Sequence, residues 1–155
     1  MHDLFKHIKI SIKIILLSLF TISITTPSNS EQSVEEIIKN RKALFSKNYN
    51  TAKKVQSLSS SGDFDDAKIL MLEMSENYKN LKEMFPDNSK EGFKTESLPI
   101  IWEEKDAFNA LMQKASDDMI KLASTIEETD NVRGTIGKLM WSNCKACHSK
   151  YRAPH

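Results

Sequence analysis

The sequence predicts an all-α chain folded as an antiparallel four-helix bundle. Apolar residues recur at spacings of three and four along four separate stretches, the pattern of amphipathic helices. No stretch shows the apolar–polar alternation of a strand. Only four glycines and four prolines interrupt 155 residues, too few for a many-turned β chain. The links between the helical stretches are mostly short, which favours antiparallel neighbours.

Residues 1–30 stand apart from that pattern. Lys6, Lys9 and Lys13 face one acid, Asp3; an apolar run follows over Ile14–Ile24, then the small polar stretch TTPSNS. This is the three-part plan of a secretory signal peptide. The alternative is a membrane anchor, but a helix over that run rises only about 16 Å against a hydrocarbon thickness of about 30 Å. Cleavage near Ser30 is expected, leaving residues 31–155 as one domain with no stable membrane span. The leader removes three bases and one acid, so the formal charge falls from +1 to −1.

The first helix opens at Ser33-Val-Glu-Glu36, a capping box. Its stripe runs through Val34, Ile37, Ile38, Leu44, Phe45, Ala52, Val55 and Leu58, and Gly62 ends it. The second starts behind Asp63, a favoured N-cap, with Asp65 and Asp66 at the positive end of the dipole. Ala67, Leu70, Met71, Met74, Tyr78 and Leu81 form its stripe, widened by Ile69 and Leu72, and Pro86 lies beyond its end. Residues 87–98 read as a polar loop, long for a bundle connection. The third helix begins near Pro99–Trp102 and carries Phe108, Leu111, Met112, Ala115, Met119, Leu122, Ala123 and Ile126. A turn at Thr129–Asn131 leads to the fourth, from about Val132 to Tyr151. There Gly134 and Gly137 weaken the first turns by up to about 1 kcal/mol each.

The near-neutral charge gives no basic footprint for nucleic acid. Two cysteines are too few for a disulfide scaffold. No acid–base pair or nucleophile constellation points to an enzyme. What the sequence does carry is Cys144-Lys-Ala-Cys147-His148, the C-x-x-C-H attachment motif of c-type haem. At i, i+3 and i+4 the three side chains share one helix face. Two thioethers then hold the haem edge while His148 reaches the iron. A redox dithiol calls for a βαβ pattern that is absent. A structural zinc site wants four ligands, and beyond these three side chains only the terminal His155 is at hand. A disulfide across C-x-x-C in a helix is strained and closes a very short loop. The reading is one covalently attached haem c per chain, which consumes the thiols of an exported protein.

A haem attached at the C-terminal end of an exported four-helix bundle resembles cytochrome c′ and the class II c-type cytochromes. The resemblance spans Ser33 to Arg152. It rests on Arg41-Lys-Ala-Leu-Phe45, Pro99-Ile-Ile-Trp102, the C-x-x-C-H motif and Tyr151-Arg152. It implies that the first helix crosses the distal haem face with Phe45 over the iron. It also implies that Arg41 lies near the haem propionates and that Arg152 lies beside the proximal ligand. Trp102 is a further candidate haem contact. Local alternatives stand beside three of these roles: Arg41 as a solvated charge on a helix face, and Phe45 and Trp102 as packing residues. Trp141 departs from the family, where small residues are common in that turn, and its spacing puts it on the face of Cys144 and His148.

A sixth ligand decides between electron transfer at fixed coordination and an open site for gas. The first helix has no methionine or histidine between Ser33 and Leu58. Lys42 and Lys47 can ligate only if bent inward and deprotonated, at a desolvation cost. The expectation is therefore five-coordinate iron with His148 proximal, an apolar distal pocket under Phe45, and a high-spin state. The resemblance implies nitric oxide and carbon monoxide as ligands, redox proteins as partners, a periplasmic location and homodimers through the first two helices. The alternative is a low-spin, six-coordinate electron-transfer cytochrome.

Overall fold

The computed structural model describes residues 32–154; the expected signal peptide and His155 lie outside the described residues. Helix α1 covers Val34–Ser61, α2 Phe64–Lys82, the single turn α3 Ile100–Glu103, α4 Lys105–Thr125, α5 Val132–Ile136 and α6 Ser142–Tyr151. A π turn, Gly137–Trp141, joins α5 to α6, so these two form the fourth arm of the bundle. The protein is an antiparallel four-helix bundle.

The capping box forms as expected. Ser33 Oγ accepts from the Glu36 amide at 3.2 Å, and Glu36 Oε2 accepts from the Ser33 amide at 3.1 Å. Gly62 ends α1 at φ 86°, in the left-handed region where glycine has no Cβ penalty. Asp63 stands at the N-cap of α2 but makes no side-chain cap bond. Instead its carboxylate accepts from Ser61 Oγ at 2.7 Å.

The core is built from the stripes of α1, α2, α4 and the fourth arm, with Met71, Met74, Met112, Met119 and Met140 as adaptable fillers. Two buried polar pairs fix helices to one another: Ser75 with Ser116 across α2 and α4, and Asn77 with Asn48 across α2 and α1, each at 2.8 Å. Two expected members of the α2 stripe fall outside it. Ile69 is 65 % exposed and Leu72 49 % exposed. At 100° per residue, Ile69 lies about 160° from Ala67 and so points away from the core.

Two other elements differ from the expected uninterrupted helices. The third helix is broken at Glu104 (φ −117°, ψ 43°), which separates α3 from α4. The fourth arm underwinds at the π turn, a local widening common at functional sites. Gly134 proves to be a packing requirement as well as a weak helix former. Asn131 folds over it, accepting from the Gly134 amide at 2.9 Å, and a Cβ there would strike the Asn131 side chain.

The loop over 87–98 is ordered. A short turn covers Asp87–Ser89, and Gly92, Phe93 and Lys94 all take positive φ. Its far end pairs with the end of α6 and the chain just beyond: the Leu98 amide donates to Tyr151 O at 3.0 Å and the Ala153 amide to Glu96 O at 2.8 Å. This strap ties the C-terminus of the attachment arm back across the bundle.

Candidate haem site

A cavity of about 600 Å³ opens between α1 and α6, lined from α1 by Arg41, Lys42, Phe45, Ser46 and Tyr49, and from α6 and its end by Cys147, His148, Tyr151 and Arg152. Its size lies within the range of about 300–1,000 Å³ common for cofactor sites. An aromatic chain forms one wall: Phe45 meets Phe85 at 6.3 Å between centroids, Phe85 meets Phe108 at 4.7 Å, and Phe108 meets Tyr151 at 5.3 Å. These edge-to-face contacts hold rigid apolar surface around the space.

The helical spacing of the motif delivers Cys147 and His148 to the cavity. Cys144 sits one turn earlier, half-buried, with its sulfur 3.9 Å from the Tyr78 hydroxyl. Neither thiol is in a disulfide. Burial pushes the Cys147 thiol up to about 12 and raises Cys144 as well, so both are neutral thiols in the unattached chain. Two reduced thiols and an imidazole on one face, beside an apolar cavity of cofactor size, fit haem c.

Arg41 is neither solvated nor simply presented to the cavity. It is 1 % exposed. Its Nη1 donates to Ser89 Oγ at 2.8 Å and Met84 O at 3.3 Å, and its Nη2 to Thr95 Oγ1 at 2.7 Å and Ser89 O at 3.0 Å. The guanidinium lies 4.6 Å from the Phe85 ring centroid and 5.7 Å from that of Trp102. Desolvation pulls its pKa down to about 10. The Nε is buried and finds no acceptor in the protein, which leaves one spare donor on a residue of the cavity wall. Arg41 therefore clamps the strap onto α1, and Lys42 adds a bond to Lys94 O at 2.9 Å.

The other expected site residues separate into two groups. Phe45 and Arg152 reach the cavity, with Arg152 held by Glu96 at 2.8 Å. Trp102 stands behind the wall, its ring tilted against Phe85 at 5.8 Å and its indole donating to Phe85 O and Pro86 O. Trp141 is not itself a lining residue: it donates to Gln56 Oε1 at 2.8 Å and packs edge-on against the lining residue Tyr49 at 6.2 Å. Tyr49, Phe85 and Glu96 are wall residues that sequence reasoning did not single out. Tyr49 alone had a local signal, one turn after Phe45 on α1.

Residues 36–152 match the model of the family described as Cytochrome C′. The chain belongs to the cytochrome c′ family. A cytochrome c′ of Rhodopseudomonas palustris is 31 % identical over 121 residues, covering 76 % of this chain and 82 % of that relative. The solved cytochrome c′ structure from Rhodopseudomonas palustris is 28 % identical and superposes with a TM-score of 0.70, covering 79 % of this chain and 98 % of that one. The cytochrome c′ structure from Rubrivivax gelatinosus, at 22 % identity and a TM-score of 0.66 over 78 % of this chain and 98 % of its own, adds agreement in fold. Membership makes this a c-type haem protein with its haem bound covalently through cysteine, and Cys144 and Cys147 are the two cysteines in the sequence. No helix among the described residues is long and apolar enough to cross a membrane.

Proposed function

We propose that this cytochrome c′ family member is a five-coordinate, high-spin haem protein of the periplasm. In this reading it binds nitric oxide and carbon monoxide, exchanges single electrons with redox proteins, and catalyses no reaction of its own. Residues 1–30 act as a cleaved export signal. Cys144 and Cys147 form the thioethers and His148 is the axial ligand. When bound, the haem supplies an iron centre able to hold a small neutral gas or carry one electron.

The observation that carries this reading is the cavity wall contributed by α1. Phe45 lies on it, and among the lining residues there is no methionine and no histidine other than His148. Phe45, backed by Phe85, excludes water and offers no hydrogen-bond donor, which disfavours dioxygen relative to nitric oxide. Arg41 holds the strap that closes the cavity, and its spare Nε is a donor for a haem propionate. Arg152, held by Glu96, lines the cavity on the His148 side. In this reading the protein pairs through α1 and α2, as the family resemblance implies.

The test is the visible spectrum of the reduced holoprotein before and after nitric oxide. A high-spin spectrum that changes on adding the gas is expected. A low-spin spectrum with a methionine–iron band would instead support the six-coordinate electron carrier.

A further inference from the structure

Charge is sorted between the helices. From Ile37 to Gly62, α1 carries Lys39, Arg41, Lys42, Lys47, Lys53 and Lys54 and no acid. From Asn131 to Pro154 the chain carries Arg133, Lys138, Lys145, Lys150 and Arg152 and again no acid. These are the two segments that meet at the cavity. The acids lie on the first turn of α1, on α2, on α4 and on their connections. A domain of net charge −1 thus holds two purely basic segments, while α2 and α4 mix acids with lysines.

Bases of both segments reach the cavity: Arg41 and Lys42 from α1, and Arg152 beyond α6. Lys42, Ser46, Tyr49 and Lys53 follow one stripe of α1; Lys42 lines the cavity, and Lys53 Nζ sits 5.2 Å over the ring of Tyr49. Tyr49 itself is 57 % exposed. On α6, the exposed Lys145 stands one turn before the lining residue His148. Glu96, an acid on the rim, is engaged by Arg152. Lys42, Lys53 and Lys145 make no ion pair among the described residues.

We propose that this mouth is a docking surface for the acidic face of a redox protein. The inference rests on the haem reading above and names the partner of that same site. Positive potential focused at one mouth steers an anionic partner to it even though the whole domain repels anions weakly. Tyr49 offers the amphipathic contact favoured at the centre of such interfaces. Lys42, Lys53 and Lys145 give the rim charges that set association rate. One electron passes from the reduced holoprotein to the oxidised partner; no bond forms or breaks.

The test uses the reduced holoprotein with ferricyanide, with the cationic oxidant tris(phenanthroline)cobalt(III), and with plastocyanin, an acidic copper protein. Ferricyanide and plastocyanin rates should fall by about tenfold as ionic strength rises to 0.3 M, and the cobalt rate should rise, because steering is screened within a Debye length. A chain acting through its net charge alone gives the opposite sign for ferricyanide, and that result overturns the proposal. Lys42→Glu, Lys53→Glu and Lys145→Glu together should abolish or reverse the plastocyanin salt dependence. Lys121→Glu, about 20 Å along α4 from the cavity residue Phe108, should leave it intact. Redox-inert cadmium plastocyanin should shift amide resonances of 42–53 and 145–152. Shifts confined to α2 and α4 contradict the proposal. Sedimentation with vesicles containing one quarter anionic phospholipid at 0.15 M salt would assign the surface to a membrane and overturn it. A chain lacking the haem spectrum contradicts the function reading instead, so the two failures are distinguishable.

Discussion

Replacing Arg41 by alanine should loosen the cavity roof before it unfolds the bundle. The substitution removes two hydrogen bonds to hydroxyls, at 2.8 and 2.7 Å, and two to carbonyls, at 3.0 and 3.3 Å. Bonds from a charged donor contribute about 1.5–3 kcal/mol each, and the cation–π contacts with Phe85 and Trp102 add about 0.5–2 kcal/mol. Desolvation of the guanidinium, visible in its lowered pKa, offsets most of that. The balance is a destabilisation of about 2–3 kcal/mol, or about 10 °C in Tm for a domain of this size. Chemical denaturation of the holoprotein measures the first quantity. Amide exchange measures the second: Ser89 and Thr95, whose amides donate to Pro86 O and Gly92 O, should exchange about tenfold faster or more, while α2 and α4 stay protected. A variant within 1 kcal/mol of the parent, with unchanged exchange at Ser89 and Thr95, would refute the clamp.

Three other outcomes follow from the same geometry. Cys144→Ala with Cys147→Ala should eliminate covalent haem by mass and lower Tm by about 10 °C or more, because the cavity loses its occupant; a fully stable double variant contradicts this. Phe45→Met is close to volume-conserving and should cost less than about 1.5 kcal/mol, yet move the spectrum towards low spin; an unchanged spectrum means Phe45 does not face the iron. Lys68 is bonded to Glu127, and this raises its pKa above the ordinary 10.5. The stability it contributes is therefore complete below 10.5 and lost as pH rises through the raised value. The Tm gap between the parent and Lys68→Gln should accordingly hold from neutral pH up to 10.5 and shrink above the raised value.

The helices and the attachment motif were legible because both are local. A period of 3.6 residues needs only neighbouring positions, and Cys144, Cys147 and His148 meet within one turn. The cavity wall was partly legible, since Phe45, Arg41 and Arg152 lie on helices of readable phase. What α1 does to the strap was not. Arg41 bonds to residues 43 to 54 positions away, in a loop without periodicity. Phe85 is buried by aromatic partners from three segments, which no spacing rule reveals. The π turn escaped notice because its flanks keep a helical apolar pattern through Ile136, Met140, Cys144 and Cys147. Ile69 was misplaced by reading hydrophobicity without angular phase.

The central claim is an iron held by His148 on one side and left open under Phe45 on the other. Electron paramagnetic resonance of the ferric holoprotein at pH 7 tests it most directly. The account predicts a high-spin signal that His148→Ala alters and that added salt does not. A low-spin signal from a second protein ligand in the unmodified holoprotein would contradict it.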